Sequence, residues 1–132
     1  MGDADRATWT DVATRGFFGD DVPPEMANLG PIVAATEGTV GFLAKFDGLP
    51  AAAATLFLSD KAVYLGGAAT LEAFRRRGAQ SALLAARLAY ARSKGCDLAV
   101  CECLPESQSQ RNQERSGFRV AYTKMVMTKP GR

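Results

Sequence analysis

The feature that most constrains the fold is a long alanine- and leucine-rich helix placed between two apolar strands. The helical segment AQSALLAARLAYARSKG has Lys94 in its last turn and Gly95 directly after it, which is a typical helix end. The run AVYLGGAATL precedes this helix, and the run CDLAVCEC follows it and is stopped by Pro105. A strand, a helix and a strand in this order predict a parallel strand pair joined by a right-handed crossover.

The segment from residue 39 to residue 71 predicts three strands joined by hairpins. The runs TVGFLAKF, AAAATLFLS and AVYLGGAATL are short and rich in β-branched or aromatic residues, and the turn-like sequences DGLP and SDK separate them. We interpret the two glycines of the third run as a bulge or a close backbone approach. In the tail we expect a short helix at about 107–115 and a last strand, RVAYTKMVMT.

The first 38 residues predict helices. Apolar residues recur at roughly helical spacing over 5–18, and the breaker GDDVPP follows them. A second helix is expected after Pro24, interrupted at Gly30 and Pro31. The central helix should be heavily buried, because apolar residues lie on two of its stripes. The chain of 132 residues, 47% of them hydrophobic, fits a single domain. We expect an α/β fold, with a mixed, mostly antiparallel sheet that contains one parallel pair and is flanked by helices.

Composition excludes several classes of site and partner. The sequence contains no histidine, so mechanisms with a histidine base and Cys/His zinc sites are excluded, and we expect no metal. Three cysteines, Cys96, Cys101 and Cys103, lie close together and are poorly placed to staple a fold, which favours a reducing, cytoplasmic location. A net charge of +2 argues against a dedicated nucleic-acid-binding domain, and no apolar run reaches the length of a membrane span.

The sequence before the central helix indicates an anion site. The segment RRRGAQS offers no Ser, Thr or Asp before the helix, only Ser81 in its first turn. Buried first-turn amides left unpaired would cost about 1–3 kcal/mol each. A bound anion would pair with them, and the helix dipole and the local excess of arginine favour negative charge. The alternative is that the arginines form a solvated surface and Gly78 is a simple turn.

Two motifs resemble those of the GNAT superfamily of acyl-CoA-dependent N-acetyltransferases. ATLEAFRRRGAQSALL is similar to its pyrophosphate signature, RxxGxG or RxxGxA, through Arg75 and Gly78, with Gln80 in place of the last Gly or Ala. A short helix ending in RSGF, with Gly117 and Phe118, is similar to its second signature. The resemblance covers about 39–128, the expected cofactor-binding core, and 1–38 is a helical N-terminal segment. Because that family's fold normally begins with a strand, the chain resembles a truncated or C-terminal-half form.

The resemblance implies an acetyl-CoA site. Backbone groups of the strand before the motif would hold the pantetheine arm, and amides of the loop would hold the pyrophosphate, with Arg76 or Arg77 also meeting phosphates. Two polar side chains one turn apart on the tail helix would contact CoA as well. The implied cofactor-binding residues are Ala68, Ala69, Thr70, Arg75, Arg76, Arg77, Gly78, Ala79, Gln80, Ser81, Ser109 and Asn112. For Ser109 and Asn112 the alternative is a polar cap and an exposed helix face.

The catalytic residues of the family are not matched directly. Gln113 stands where the family often has a tyrosine general acid, and it cannot supply a proton, while Glu106 stands at a usual asparagine position. Tyr122 is the substitute acid, with half-buried packing as the alternative. Glu102 is the candidate base, because it lies near the carboxyl end of the parallel strand, although an exposed edge carboxylate would look the same. A covalent route through Cys101 or Cys103 lacks an activating partner.

The function implied is N-acetyl transfer from acetyl-CoA to a primary amine, directly within a ternary complex. The acceptor stays open between a small molecule, a peptide terminus and a lysine side chain. A non-catalytic CoA-binding or interaction module is the main alternative, and a generic phosphate or nucleic-acid binder is a third. Without an opening strand the sheet has an edge that the N-terminal segment or a second subunit must cover, so a homodimer is expected.

Overall fold

The structure is a computed structural model that describes residues 3–131. It divides into two compact units, and the boundary in the chain lies between Cys101 and Glu102. The first unit carries helices α1 (Asp3–Phe18), α2 (Leu29–Ala35) and α3 (Ala79–Ser93), and strands β1 (Thr39–Phe46), β2 (Leu49–Ser59), β3 (Ala62–Thr70) and β4 (Leu98–Cys101). Short 3-10 turns lie at Pro24–Met26 and Glu72–Phe74. The second unit carries helix α4 (Gln108–Arg115).

The strands form one four-stranded sheet in the order β1-β2-β3-β4. The first two pairings are antiparallel, and β3 pairs with β4 in parallel, so the expected mixed sheet is confirmed. Asp47 and Gly48 join β1 to β2 with φ of 49° and 80°, the left-handed pair that tight hairpins need. Among the described residues, no helix combines the length and apolarity needed to cross a bilayer.

Buried alanines of β2 place the core on both faces of the sheet. Successive residues of a strand point to opposite faces, and Ala53 packs with Trp9, Val12 and Ala13 of α1. Ala52 and Ala54 pack instead with two α3 residues, Ala79 and Leu83. The sheet is therefore the middle layer, with α1 and α2 on one side and α3 on the other. Small side chains on β2 let both helical layers approach it closely.

A β-bulge interrupts the pairing of β2 and β3. The register shifts between Ala54 and Leu56 of β2, opposite Gly66 and Gly67 of β3. A Cβ at Gly66 would overlap Thr55 Oγ1, so only glycine fits there. A bulge leaves ladder groups unpaired and turns the strand locally. Of the two interpretations of these glycines, the bulge is confirmed, and the atoms that lie close to Gly66 and Gly67 belong to side chains.

The buried Arg87 of α3 binds the carbonyl groups that the bulge leaves available. The residue is 2% exposed, and its Nη1 donates to Thr55 O at 3.0 Å and to Gly66 O at 3.3 Å. Its Nε donates to Leu83 O within the helix at 3.3 Å. Burial lowers the pKa of Arg87, and electrostatic interaction with nearby Cys101 opposes that shift. From the other layer, Trp9 Nε1 donates to Ala54 O at 3.1 Å.

Three expectations about helices and strands are wrong. Gly30 and Pro31 do not interrupt the second helix but lie in the first turn of α2, where a proline costs no hydrogen bond. Helix α3 buries only one face, and Ala82 and Ala86 are exposed. Residues 119–131, all of which the structure describes, form neither helix nor strand. A strand needs a neighbour for its backbone groups, and the expected strand RVAYTKMVMT pairs with no other strand in the described part of this single chain.

Replacing Arg87 should destabilise the protein more than replacing an exposed arginine of the same helix. Arg87→Ala leaves the Thr55 and Gly66 carbonyls without their donor, so the free energy of unfolding should fall by at least about 2 kcal/mol. Arg92→Ala, at an exposed position of α3, should change it by less than about 0.5 kcal/mol. Urea denaturation followed by circular dichroism measures both, and equal losses would contradict this role of Arg87.

Candidate functional site

The candidate site begins at the point of β3 where its pairing with β4 ends. The two strands pair only from Ala62 to Leu65 on β3, and Leu65 pairs with Cys101, the last residue of β4. Beyond it, in the part of the chain that the structure describes, no strand pairs with this edge of β3. The predicted pantetheine-binding residues, Ala68, Ala69 and Thr70, lie on this open stretch. Backbone groups on an unpaired strand edge can bind an extended ligand, although Thr70 O already accepts a hydrogen bond from Arg75 Nε at 3.2 Å.

Helix α3 begins at Gly78 without a side-chain cap. Gly78 is the N-cap residue, with φ of 81° and ψ of 9°, and no side chain hydrogen-bonds to the cap. The first helical bond runs from Ala82 N to Gly78 O at 3.0 Å. Because the first amides of a helix have no partner within it, those of Ala79, Gln80 and Ser81 depend on a group from outside. The uncapped terminus predicted from the sequence is present.

Gln80 and Arg75 tie this helix start to the end of β3. Gln80 Nε2 donates to Thr70 Oγ1 at 2.7 Å, so the residue that departs from the family pattern uses its side chain inside the protein. Arg75 Nε donates to Thr70 O at 3.2 Å, and Arg75 Nη2 donates to Gly16 O of α1 at 3.4 Å. Both side chains therefore position the loop, and the role of these residues in cofactor binding stays a prediction.

The other two arginines of the motif have different environments. The Arg77 guanidinium lies 5.8 Å from the ring centroids of both Phe46 and Phe74, which stack on each other. This cation–π contact holds Arg77 against aromatic rings. Arg76 is exposed and has φ of 64°, a left-handed conformation that is uncommon outside glycine. Arg76 is therefore the motif arginine that is best placed to reach a phosphate from solvent.

The candidate base and acid both lie in the second unit. Glu102 Oε1 accepts a hydrogen bond from Lys124 Nζ at 2.8 Å, and each side chain is 51% exposed. An exposed ion pair of this kind contributes little stability. Tyr122 is 78% exposed, so the half-buried packing considered as its alternative is absent. Whether either residue meets a substrate stays a prediction.

Helix α4 places the predicted CoA contacts one turn apart. Ser107 caps the helix by accepting from Gln110 N at 3.1 Å, so the cap is Ser107 and not a predicted site residue. Asn112 is half-buried, and its Oδ1 accepts from Gln108 Nε2 at 2.9 Å, whereas Ser109 is exposed. Gln113 Oε1 is buried without a hydrogen-bond partner among the described residues. The burial of Gln113 could not be predicted from the sequence, because side-chain burial on a short polar helix has no sequence signal.

The described residues contain no cluster of three or more Cys, Asp or Glu side chains able to hold a metal ion. Cys96 and Cys101 are half-buried, Cys103 is exposed, and none of the three is joined in a disulfide. The uncapped terminus of α3 and the open edge of β3 are the two features of the first unit that make up the candidate site.

Comparisons with known proteins identify a family and similar folds. The model of the acetyltransferase (GNAT) family matches residues 6–118, which includes the N-terminal helices. Similar folds occur in AAC(6')-Iy in complex with the bisubstrate analogue CoA-S-monomethyl-acetylneamine (TM-score 0.77, 22% identity, 99% of this chain and 95% of that chain). They also occur in a putative acetyltransferase from Agrobacterium tumefaciens strain C58 (0.73, 20%, 98% and 96%). A ribosomal-protein-alanine N-acetyltransferase from Brucella melitensis is a further example (0.75, 12%, 96% and 94%).

No protein of curated function matches the chain in a sequence comparison. The structural likenesses lie below 25% identity and show the fold, whereas the family model matches most of the chain. The uncapped helix at Gly78, the stretch of β3 beyond Leu65 that β4 does not pair with, and the family match agree with one another. The chain belongs to the acetyltransferase (GNAT) family and is an acyltransferase.

Proposed function

We propose that the protein transfers an acetyl group from acetyl-CoA to a primary amine, directly within a ternary complex. The observation that carries the proposal is the uncapped N-terminus of α3, which lies in sequence directly after the open stretch of β3. An anion is the natural partner of such a helix terminus. The CoA and bisubstrate complexes of the structural neighbours support a CoA diphosphate as that anion.

The cofactor would be held mainly by backbone groups. Amides from Arg76 to Ser81 would bind the pyrophosphate, and the exposed Arg76 side chain would add a charge-assisted contact. The β3 stretch from Ala68 to Thr70 would bind the pantetheine arm as an added strand would. In the second unit, Ser109, Asn112 and the unpartnered Gln113 Oε1 offer further hydrogen-bonding groups. This division explains how Gln80 can depart from the family pattern, since its side chain does not have to meet the ligand.

The chemistry requires a neutral amine. An alkyl amine with a pKa near 10.4 is deprotonated only to about one part in a thousand at neutral pH, so a base must accept its proton. Glu102 is the proposed base, directly or through water. The amine nitrogen then forms a bond to the acetyl carbonyl carbon as the bond from that carbon to sulfur breaks. CoA leaves as a thiolate, which Tyr122 or water protonates, and the second proton that the nitrogen loses as the amide forms goes back to that tyrosine or to water.

Replacing Gly78 should weaken CoA binding. The left-handed φ of Gly78 disfavours alanine by about 1 kcal/mol although nothing lies within 4 Å of a new Cβ, so Gly78→Ala should distort the amide cradle. We expect CoA affinity measured by calorimetry to fall at least about fivefold, which corresponds to that cost.

Gly95→Ala is the matched control. Gly95 follows the opposite end of α3, has φ of 84° and is equally open to a Cβ. Both variants should lose similar thermal stability, but only Gly78→Ala should lose CoA affinity. Equal CoA affinity in the two variants would contradict binding of CoA by the amides that follow Gly78, which is the main support for the proposed function.

Replacing Glu102 should change the pH dependence of the reaction. Without a base, turnover depends on the free amine alone, so kcat of Glu102→Gln should fall about 100-fold at neutral pH and recover as the pH rises toward the amine pKa. Glu114→Gln, another exposed glutamate of the second unit, is the control and should keep the wild-type profile. A wild-type pH profile for Glu102→Gln would show that this carboxylate accepts no proton in the reaction.

A non-catalytic CoA-binding module is the second candidate. The observation in its favour is Gln113, which supplies no proton at the family's usual tyrosine position. A thiol-release assay with acetyl-CoA and a panel of amines separates the two. Saturable CoA binding without release under any condition would favour the module, and amine-dependent release would exclude it. We also propose a cytoplasmic location for the protein, in keeping with its three free cysteines, and no nucleic-acid or membrane partner.

A homodimer is part of the proposal, and the exposed tail supports it. Val120, Met125, Val126 and Met127 are 60–87% exposed, an apolar run that a second subunit would cover. We expect light scattering to give twice the mass of one chain. Val126→Lys should shift the protein toward the monomer, whereas Thr128→Lys, at an exposed polar position of the same tail, should not. A wild-type monomer at high protein concentration would contradict the dimer.

A further inference from the structure

An apolar cavity lies between α1, α2 and the sheet. Its volume is about 200 Å³, and it is only partly enclosed. Five apolar side chains line it, together with two glycines and the side chains of Trp9, Thr14 and Thr55; the apolar residues are Ala13, Phe17, Phe18, Leu29 and Val33, and the glycines are Gly30 and Gly67. None of the residues that line it carries a charge. The cavity is therefore suited to an uncharged, apolar group.

Two of the polar side chains of the lining form hydrogen bonds within the protein. Trp9 Nε1 donates to Ala54 O at 3.1 Å, and Thr14 Oγ1 donates to Thr10 O at 2.8 Å. Thr55 is only 3% exposed. A ligand in the cavity would gain little from hydrogen bonds to Trp9 or Thr14 and would be held by contact with apolar surface.

The cavity reaches the sheet at the strand that the proposed function assigns to the cofactor. Gly67 lines it, and Gly67 directly precedes Ala68, where the open stretch of β3 is proposed to bind pantetheine. A Cβ at Gly67 would lie 3.0 Å from Phe17 Cζ, so the aromatic ring lies directly against this strand. Phe17 and Leu29 are 54% and 46% exposed, which leaves that side of the cavity accessible from solvent.

We infer that this cavity takes the apolar substituent of the acceptor, so that the acceptor is a primary amine carrying one aromatic ring or a short branched alkyl chain. The inference rests on the proposed function, because it places the acceptor beside the cofactor strand. An engineered apolar cavity of about 150 Å³ in another protein holds benzene. A cavity of about 200 Å³ therefore has room for a single ring but not for a multi-ring sugar.

The residues around the cavity favour an acceptor with a single amine over one with several, such as the neamine part of the analogue that a structural neighbour binds. A substrate with several ammonium groups needs carboxylates to replace its water, since burying unpaired charge is costly. The acidic residues of the segment between α1 and α2 are Asp20, Asp21 and Glu25, and none of them lines the cavity. Asp20 also pairs with Arg15 at 3.3 Å. The cavity thus offers no partner for a second or third ammonium group.

An apolar cavity would also assist the chemistry. Apolar surroundings disfavour the charged form of an amine and so lower its pKa. An acceptor whose amine enters next to these side chains would release its proton more readily than it does in water. This effect reduces the demand on the base, which matters in a chain without histidine.

Trp9 provides a test that does not need turnover. It is the only tryptophan of the chain and it lines the cavity, so its fluorescence reports occupancy directly. We expect 2-phenylethylamine to change the fluorescence of the full chain saturably, and ethylamine at the same concentrations to leave it unchanged. Absence of a saturable change with 2-phenylethylamine, with and without CoA, would overturn the inference.

Acetylation kinetics give the second test. We expect kcat/KM for 2-phenylethylamine and 3-methylbutylamine to exceed that for ethylamine at least tenfold, and that for neamine to be lower still. A preference for neamine or ethylamine would overturn the inference while leaving acetyl transfer intact. A saturable fluorescence response without thiol release from any amine would instead support the cavity as a ligand site and refute the proposed function.

Variants of α2 link the preference to the cavity. Val33→Phe should fill the cavity and raise KM for 2-phenylethylamine at least tenfold without affecting ethylamine. Ile32→Phe, at a 62% exposed position of the same helix that does not line the cavity, is the matched control and should leave both KM values unchanged. If Val33→Phe does not fold, Leu29→Ala removes part of the lining at a more exposed position and should raise the same KM. An unchanged KM in the folded variant would overturn the inference.

Discussion

The bulge at Gly66 and Gly67 is the constraint on which the rest of the first unit depends. It interrupts the ladder of β2 and β3, and donors from both helical layers complete it: Arg87 from α3 and Trp9 from α1. A buried guanidinium bound to carbonyl groups is tolerable because its contacts with Thr55 O and Gly66 O satisfy strand acceptors at the point where the bulge interrupts the ladder. The two helices are thereby held to the same point of the sheet, and their positions are not independent.

The candidate site begins at the same point of the sheet as the bulge. The last pairing of β3 with β4 involves Leu65, the residue directly before the bulge, so the open stretch of β3 starts where the strand turns. At the end of that stretch, Thr70 accepts hydrogen bonds from Gln80 and Arg75, which set the start of α3. The open edge and the uncapped amides are thus parts of one arrangement, in which side chains position the backbone groups that are proposed to bind the ligand.

Much of the fold could be predicted from local sequence because the elements are themselves locally encoded. The strand TVGFLAKF has the predicted bounds, and the end of α3 by Gly95 follows from a residue that tolerates left-handed backbone. The wrong predictions for Pro31 and for the tail depended on features outside the residues themselves. Pro31 is compatible with a helix only because α2 begins at Leu29, and the tail pattern RVAYTKMVMT becomes a strand only where a partner edge exists. Neither condition is written in the residues concerned.

By itself, the sequence determined the uncapped helix start after RRRG, the mixed sheet and the family, because these follow from residue types at short spacing. Only the tertiary structure decided that Arg87 is a buried donor to two strands, that Gln80 binds Thr70 and that α1 and α2 enclose an apolar cavity beside Gly67. Each of these contacts joins residues ten or more positions apart through packing of whole elements. The amphipathic pattern of one element shows which face is buried, but the shape of the space between three elements exists only once they are packed.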